Sequence, residues 1–374
     1  MTSPSLAPLP SIGYSARPDA ARARLDGATL LVSTPSNIRW LTSFGGSLGW
    51  VVIAPRRCVL VTDGRYAERA AADLAIAGLD DVVDLAVATS RPAIRQLVID
   101  AAGTGPVRAE AADLTHATWL DLGGQLDLHP DDGTITGLRR VKDDGELARM
   151  ARAADIADAA LAAVAPMLAD RPSEADVRDE LEHRMRRLGA DGPSYDTIVA
   201  SGPQNAARPH HETGRRTIVE GDTVIVDVGA LVDGYHSDMT RTFVVGDATS
   251  EQQHIYDLVL AAQLAGLDVV APGAVGKEID AACRDLFAAA GYGDWYIHGT
   301  GHGVGLDIHE DPFSSTVSTD ELVVGDVVTV EPGLYRGGFG GVRIEDLVVV
   351  TAAGGRRLTH LSKDTPCLPS PRTT

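Results

Sequence analysis

The sequence predicts an α+β protein of two domains: a smaller α/β domain, then a larger α+β domain that repeats itself about a pseudo-twofold axis. Three observations predict it. Short β-branched runs alternate with helical stretches in the first third of the chain. An Ala-rich amphipathic helix opens near residue 143, after a turn-rich stretch. Beyond it, two segments about a hundred residues apart follow one pattern.

The chain has 374 residues, enough for two cores. Its 33 basic and 52 acidic residues give a net charge of −19. No basic stripe interrupts that balance, so neither nucleic acid nor an anionic membrane is expected as a partner. No apolar run of roughly 18 residues offers a membrane span. The N-terminal stretch lacks the cationic and apolar regions of a signal peptide. Cys58, Cys283 and Cys367 lie far apart and suggest no disulfide framework. A cytoplasmic location is expected.

Taken in order, residues 28–33 (ATLLVS), 50–54 (WVVIA) and 58–62 (CVLVT) read as strands, with helices near 65–77 and 90–102. The first domain is expected to span residues 1–137 and the second 138–374. Asp143 or Asp144 can cap the long helix that follows the boundary. "EGDTVIVDVG" at 220–229 then resembles "VGDVVTVEPG" at 324–333, at an offset of 104. Helical segments upstream of each repeat at a similar offset. A site is expected between the two halves.

Acids sit where apolar strands should carry none. Asp227 ends a β-branched run, Asp238 lies on the returning strand, and "VDG" marks a turn between them. Folding about the 232/233 bond would oppose the two carboxylates with Cβ atoms roughly 5 Å apart. Glu331 and Glu345 flank a Gly-rich loop in the same way. A solvated strand face would explain either pair alone. Four acids converging in an apolar setting need compensating cations. Divalent metals supply them, and oxygen-rich ligation suits Mn, Co, Fe or Zn.

"HGTGHGVGLDIHEDP" at 298–312 offers His298, His302 and His309 as nitrogen donors. Its alternating glycines argue for extended backbone, not for a helical HxxxH zinc motif. "NAARPHHETG" adds His210 and His211 on a loop.

Together, "DVGALVDGYHSDMTRTF", "HGTGHGVGLDIHEDP", "VEPGLY" and "GVRIED" resemble the pita-bread metallopeptidases, which include aminopeptidase P, prolidase and methionine aminopeptidase. The stretches "NIRWLTSFGGSLGWVVIA" and "LVTDGRYAERA" resemble the N-terminal domain of its creatinase/prolidase-type, prolyl-specific branch. The resemblance implies five metal ligands, Asp227, Asp238, His302, Glu331 and Glu345, holding two divalent ions. Manganese is the first expectation, with cobalt, zinc and iron as alternatives. It implies Glu331 as proton shuttle for a metal-bridging hydroxide, with His210 and His309 at the scissile bond. His298 would line the prolyl pocket, and Arg343 and Tyr335 would serve substrate docking or support. His211 matches no family position and reads as an exposed loop residue.

The implied activity is hydrolysis of the Xaa-Pro bond at the N-terminus of short proline-containing peptides, as dipeptidase or aminopeptidase, by a homodimer. The alternatives are a non-prolyl metallohydrolase on the same fold and a non-catalytic peptide-binding scaffold.

Overall fold

The computed structural model describes residues 7–131 and 133–367. The first six residues of the first expected span, the last seven of the second, and Asp132 lie outside the described residues. Two compact units are present. The first is Ser11–Arg139, and the second begins at Arg140. Leu9 packs into the core of the second unit, and Pro10 O accepts a hydrogen bond from Arg149 Nη1 (2.9 Å). Leu9 and Pro10 therefore group with the second unit.

The first unit is built on one sheet of β1 (Thr29–Val32), β2 (Gly49–Ile53), β3 (Cys58–Asp63), β4 (Val83–Ala88), β5 (Pro106–Ala109) and β6 (Asp127–Pro130). Their order is β4-β3-β2-β1-β5-β6, with β1-β2 and β2-β3 antiparallel and the other pairs parallel. The helix Arg91–Ala102 buries Ile94, Val98, Ala101 and Ala102 against Leu31, Val52 and Val61. The segment Pro35–Thr42 is also helical, a feature its sequence hides because Pro35 and two hydroxyl residues dominate it. Pro at the first helical turn costs no backbone bond there.

In the second unit each half opens with two helices. The first pair is Asp144–Val164 and Glu174–Arg187, and the second is Ser250–Val269 and Gly276–Ala289. Asp143, not Asp144, caps the first helix, in a reciprocal capping box with Glu146. The strands of the first half are β7 (Gly192–Pro193), β8 (Ile198–Ser201), β9 (Thr223–Asp227), β10 (Ala230–Val232), β11 (Tyr235–His236) and β12 (Thr240–Val244). Those of the second half are β13 (Gly301–Gly303), β14 (Glu310–Ser314), β15 (Val327–Val330), β16 (Gly333–Arg336), β17 (Gly340–Arg343), β18 (Asp346–Thr351) and β19 (Gly354–Arg357). Sheets ordered β12-β9-β8 and β14-β13-β15-β18-β19 form the centres of the two halves.

The repeat extends to single hydrogen bonds. Asp222 Oδ2 accepts from Val219 N (2.9 Å), and Asp326 Oδ2 accepts from Val323 N (2.8 Å). Gly221 and Gly325, at φ 85° and 97°, make the same left-handed turn before β9 and β15. Behind β9 lies a core of Leu161, Val164, Leu181, Val224 and Val226. Behind β15 and β18 lies its counterpart, with Val270, Ile279, Val328, Val330 and Val348. Equivalent strands thus bring their C-terminal ends, Asp227 and Glu331, to equivalent places.

The first acid-bearing hairpin corrects the expected register. Val232 pairs with Tyr235, so Asp233 and Gly234 are the loop residues, both at positive φ (48° and 78°). That is the two-residue turn favoured by Asp-Gly, shifted one residue from the 232/233 bond. Asp227 consequently faces Thr240, not Asp238. In the second half, Val330 pairs with Asp346 and Gly333 with Arg343. The same register puts Glu331 across from Glu345.

The histidine-glycine segment is extended at its centre, where β13 inserts between β14 and β15. A Cβ on Gly301 would come within 2.0 Å of Thr329 O, and one on Gly303 within 2.4 Å of Asp311 O. Neighbouring backbone therefore fills the space a side chain would need. Gly301→Ala is expected to destabilise the protein by about 1–3 kcal/mol, the usual range for overpacking. Urea unfolding compared with the parent protein checks it, and unchanged stability would contradict this close approach.

Candidate active site

The candidate residues line a cavity of about 940 Å³ in the second unit. Its wall includes Asp227, Asp238, His302, Glu331 and Glu345, together with His210, His298, His309 and Arg343. Each comes from a different constraint. Asp227 ends β9, and His302 is the middle residue of β13. Glu331 follows β15, and Glu345 lies between β17 and β18.

Asp238, His302 and Glu345 are buried, and their ligand-type atoms all lie within 4.8 Å of one another. His302 Nε2 is 3.6 Å from both Asp238 Oδ2 and Glu331 Oε1, longer than a hydrogen bond. On the other side of the ring, Nδ1 is 3.0 Å from Gly303 O. An N–H donated there leaves the Nε2 lone pair facing the carboxylates, the tautomer a metal ligand needs. Burial pulls the His302 pKa down to about 4, so the ring is neutral near pH 7.

The carboxylates are held at high electrostatic cost. Burial first, then the Asp227 charge, raise the Asp238 pKa well above the carboxylate range. Burial and the neighbouring Asp238 charge do the same to Glu345. Burial and Asp227, against an opposing Arg343, push Glu331 up to about 8. Arg343 Nη2 donates to Asp227 Oδ2 (2.6 Å) and Thr240 Oγ1 donates to Glu345 Oε2 (2.7 Å). Tyr195 OH lies 2.5 Å from both Asp227 Oδ1 and Asp238 Oδ1. A phenol has one proton and cannot donate to both at once. The group therefore wants further positive charge. Four carboxylates and one neutral imidazole, crowded and buried, match the donor chemistry of divalent metal ions.

The remaining candidates divide. The ring of His309 meets that of His302 edge-on, with centroids 4.4 Å apart, and is otherwise exposed. His210 is exposed and lines the cavity from the 202–214 loop. His298 lines it too, with Nε2 3.0 Å from Tyr335 OH. Burial, then Arg343, drop the His298 pKa to about 4. Tyr335 is not among the lining residues. It is 5% exposed, packs with Ile198, Ala200 and Ile225, and its hydroxyl accepts from Arg343 Nη1 (2.8 Å). Of the two roles expected of Tyr335, docking or support, these contacts favour support of Arg343 and His298. His211 is corrected as well: its side chain is 9% exposed and its Nε2 lies 3.1 Å from Glu174 Oε2. Sequence reasoning missed Tyr195 and Thr240. Thr240 becomes visible once the turn is centred on Asp233-Gly234, whereas nothing in "GPSYD" singles out Tyr195.

Residues 148–352 match the model of metallopeptidase family M24, and residues 17–141 match the creatinase/prolidase N-terminal domain. The chain belongs to metallopeptidase family M24 and has its pita-bread fold preceded by that N-terminal domain. It is 37% identical over 343 residues to an uncharacterized peptidase, YqhT, of Bacillus subtilis, covering 91% of this chain and 95% of that protein. It is 41% identical over 233 residues to the Xaa-Pro dipeptidase of Pyrococcus furiosus, covering 62% of this chain and 67% of that one. A solved Xaa-Pro dipeptidase from Bacillus anthracis superposes with a TM-score of 0.88 at 35% identity, over 94% of this chain and 99% of that chain. The protein is thus a metallopeptidase of a family that uses divalent metal ions. Among the described residues no helix is long and apolar enough to cross a membrane.

Proposed function

We propose that the protein is a dinuclear-metal exopeptidase that cleaves the Xaa-Pro bond at the N-terminus of short peptides. The convergence of Asp227, Asp238, His302, Glu331 and Glu345 in one cavity carries this reading. Asp227 would hold one ion and His302 the other. Asp238 and Glu345 would be shared, and Glu331 would also ligate. Manganese is favoured because four of the five donors are carboxylates. When bound, the ions supply the Lewis acidity that ionises a water and polarises the scissile carbonyl.

The chain's own groups do the rest. Arg343 orients Asp227 through the 2.6 Å bond. Glu331 takes a proton from the attacking water on its carboxylate and delivers it to the prolyl nitrogen. That delivery matters because a tertiary Xaa-Pro amide has no N–H and must leave as an amine. His309 donates to the carbonyl oxygen as charge develops there, and His210 contacts the substrate beside the scissile bond. His298, neutral and backed by Tyr335, forms part of the wall for the proline ring.

Protein loaded with Mn, Co or Zn is expected to hydrolyse Xaa-Pro or Xaa-Pro-Yaa peptides, and to spare matched peptides with alanine in place of proline. Comparing the two proline series also separates dipeptidase from aminopeptidase action. No turnover of either would overturn the reading, and equal turnover of the alanine peptides would overturn its prolyl part. Metal analysis should find about two ions per chain, and sedimentation tests the expected homodimer.

A further inference from the structure

One buried carboxylate outside the cavity is bound to the loop that carries His210. Glu174 opens the helix Glu174–Arg187, and its side chain is 0% exposed. Its Oε1 accepts from Ser201 N (2.8 Å), Ser201 Oγ (2.7 Å) and Asn205 Nδ2 (2.9 Å). Its Oε2 faces His211 Nε2 (3.1 Å) and Gly214 N (3.3 Å). Ser201 precedes, and Asn205 ends, the helical turn Gly202–Asn205 that begins the 202–214 loop, and His211 and Gly214 lie at the loop's far end. Midway, Pro209 O accepts from Arg343 Nη1 (2.9 Å). His210 projects from the next position, and among the described residues it has no hydrogen-bond partner of its own.

We propose that Glu174, through His211 and Ser201, is a positioning residue that fixes the 202–214 loop so that His210 faces the scissile bond. The inference rests on the reading that His210 contacts the substrate. Beyond the helical turn Gly202–Asn205 this segment has no regular structure around His210 to hold the ring to the tolerance that catalysis needs, and a misplacement of about 1 Å can cost 10²-fold in rate. A buried carboxylate at a helix start supplies a rigid anchor, because the helix is held by its own core contacts through Val177, Leu181 and Met185. Burial opposes the Glu174 charge. Hydrogen bonds from Asn205, Ser201 and His211 outweigh it and keep the carboxyl below its usual range. Glu174 lines neither the main cavity nor the smaller one beside His210 and His211. It acts through the loop.

Glu174→Gln keeps the shape but turns one accepting oxygen into a donor facing donors. With Mn-loaded full-length protein, kcat is expected to fall about tenfold at unchanged KM and unchanged Mn affinity. His211→Asn, which removes the ring from the Glu174 Oε2 contact while leaving the carboxylate in place, is expected to give a smaller loss of the same kind. In a His210→Ala background, Glu174→Gln should slow the enzyme less than twofold further, because the group it positions is already gone. An equal loss in both backgrounds, or a parallel loss of Mn affinity, would overturn the positioning role while leaving the function of His210 standing. A His210→Ala enzyme at full rate would remove both. If Glu174→Gln does not fold, the His211→Asn and His210→Ala pair decides by the same comparison.

Discussion

Glu331→Gln is expected to lower kcat on an Xaa-Pro substrate by about 10²–10⁴-fold while the protein stays folded. Glu331 follows β15 directly, where the repeat sets it at the place Asp227 holds in the other half. Its Oε1 is 3.6 Å from His302 Nε2, and the register puts it across from Glu345. It belongs to the cluster that would hold metal, and in the metal-free chain burial and Asp227 push its pKa up to about 8, the mark of a carboxyl crowded among other buried acids. The amide keeps the volume and one acceptor oxygen but binds no proton near neutrality. Water activation and protonation of the prolyl nitrogen are therefore lost together, and the loss belongs in kcat. The assay must saturate with Mn, since removing one carboxylate also weakens metal binding. Circular dichroism checks the fold. Retention of the parent rate under saturating metal would take the proton-transfer role from Glu331.

That residue was accessible from sequence for a physical reason. An acid at the end of a buried β-branched strand is costly, and a cost that occurs twice at equivalent places has a common cause. The glycines around His302 were equally informative, because a histidine flanked by glycines cannot be explained by helix packing. The structure fills those glycine positions with the backbone of Thr329 and Asp311. Other features depend on one-residue precision that composition does not carry. The turn at Asp233-Gly234 differs from one at 232/233 by a single step, yet that step exchanges Asp238 for Thr240 opposite Asp227. Tyr195 and Glu174 act through long-range hydrogen bonds, 32 and 43 residues away for the tyrosine and 27 to 40 for the glutamate. No local pattern announces them. His211 misled because a polar loop residue is usually solvated, and its partner lies 37 residues back. In the first unit, β4 and β5 escaped because Val83–Ala88 and Pro106–Ala109 are rich in Ala, Asp, Arg and Pro, residues that favour strands weakly.

Removing divalent metal is expected to make the folding stability fall as pH rises, and restoring Mn is expected to abolish most of that fall. In the metal-free chain, Asp238, Glu331 and Glu345 all have carboxyl pKa values above the ordinary range, Glu331 at about 8. Unfolding returns each to about 4. Between those limits the folded chain binds more protons than the unfolded one, so stability declines with rising pH across about pH 4–8. Below that window the groups are protonated in both states and impose no penalty. Bound cations reverse the balance, because they favour the ionised carboxylates that burial and mutual repulsion disfavour, and their binding should release protons. A metal present at 100 times its dissociation constant adds about 2.7 kcal/mol by mass action. For a unit of this size that corresponds to a rise in Tm of roughly 5–10 °C, largest near pH 8. Thermal melts of chelator-stripped and Mn-loaded protein from pH 5 to 8 measure it. The Glu331→Gln variant serves as control, since its stripped form should show a shallower decline. A stripped protein as stable at pH 8 as at pH 5, with no shift on adding Mn, would mean that these carboxylates do not form a cation site. The catalytic reading of Glu331 would fall with it, because that reading needs a divalent ion held beside Glu331 by these same carboxylates.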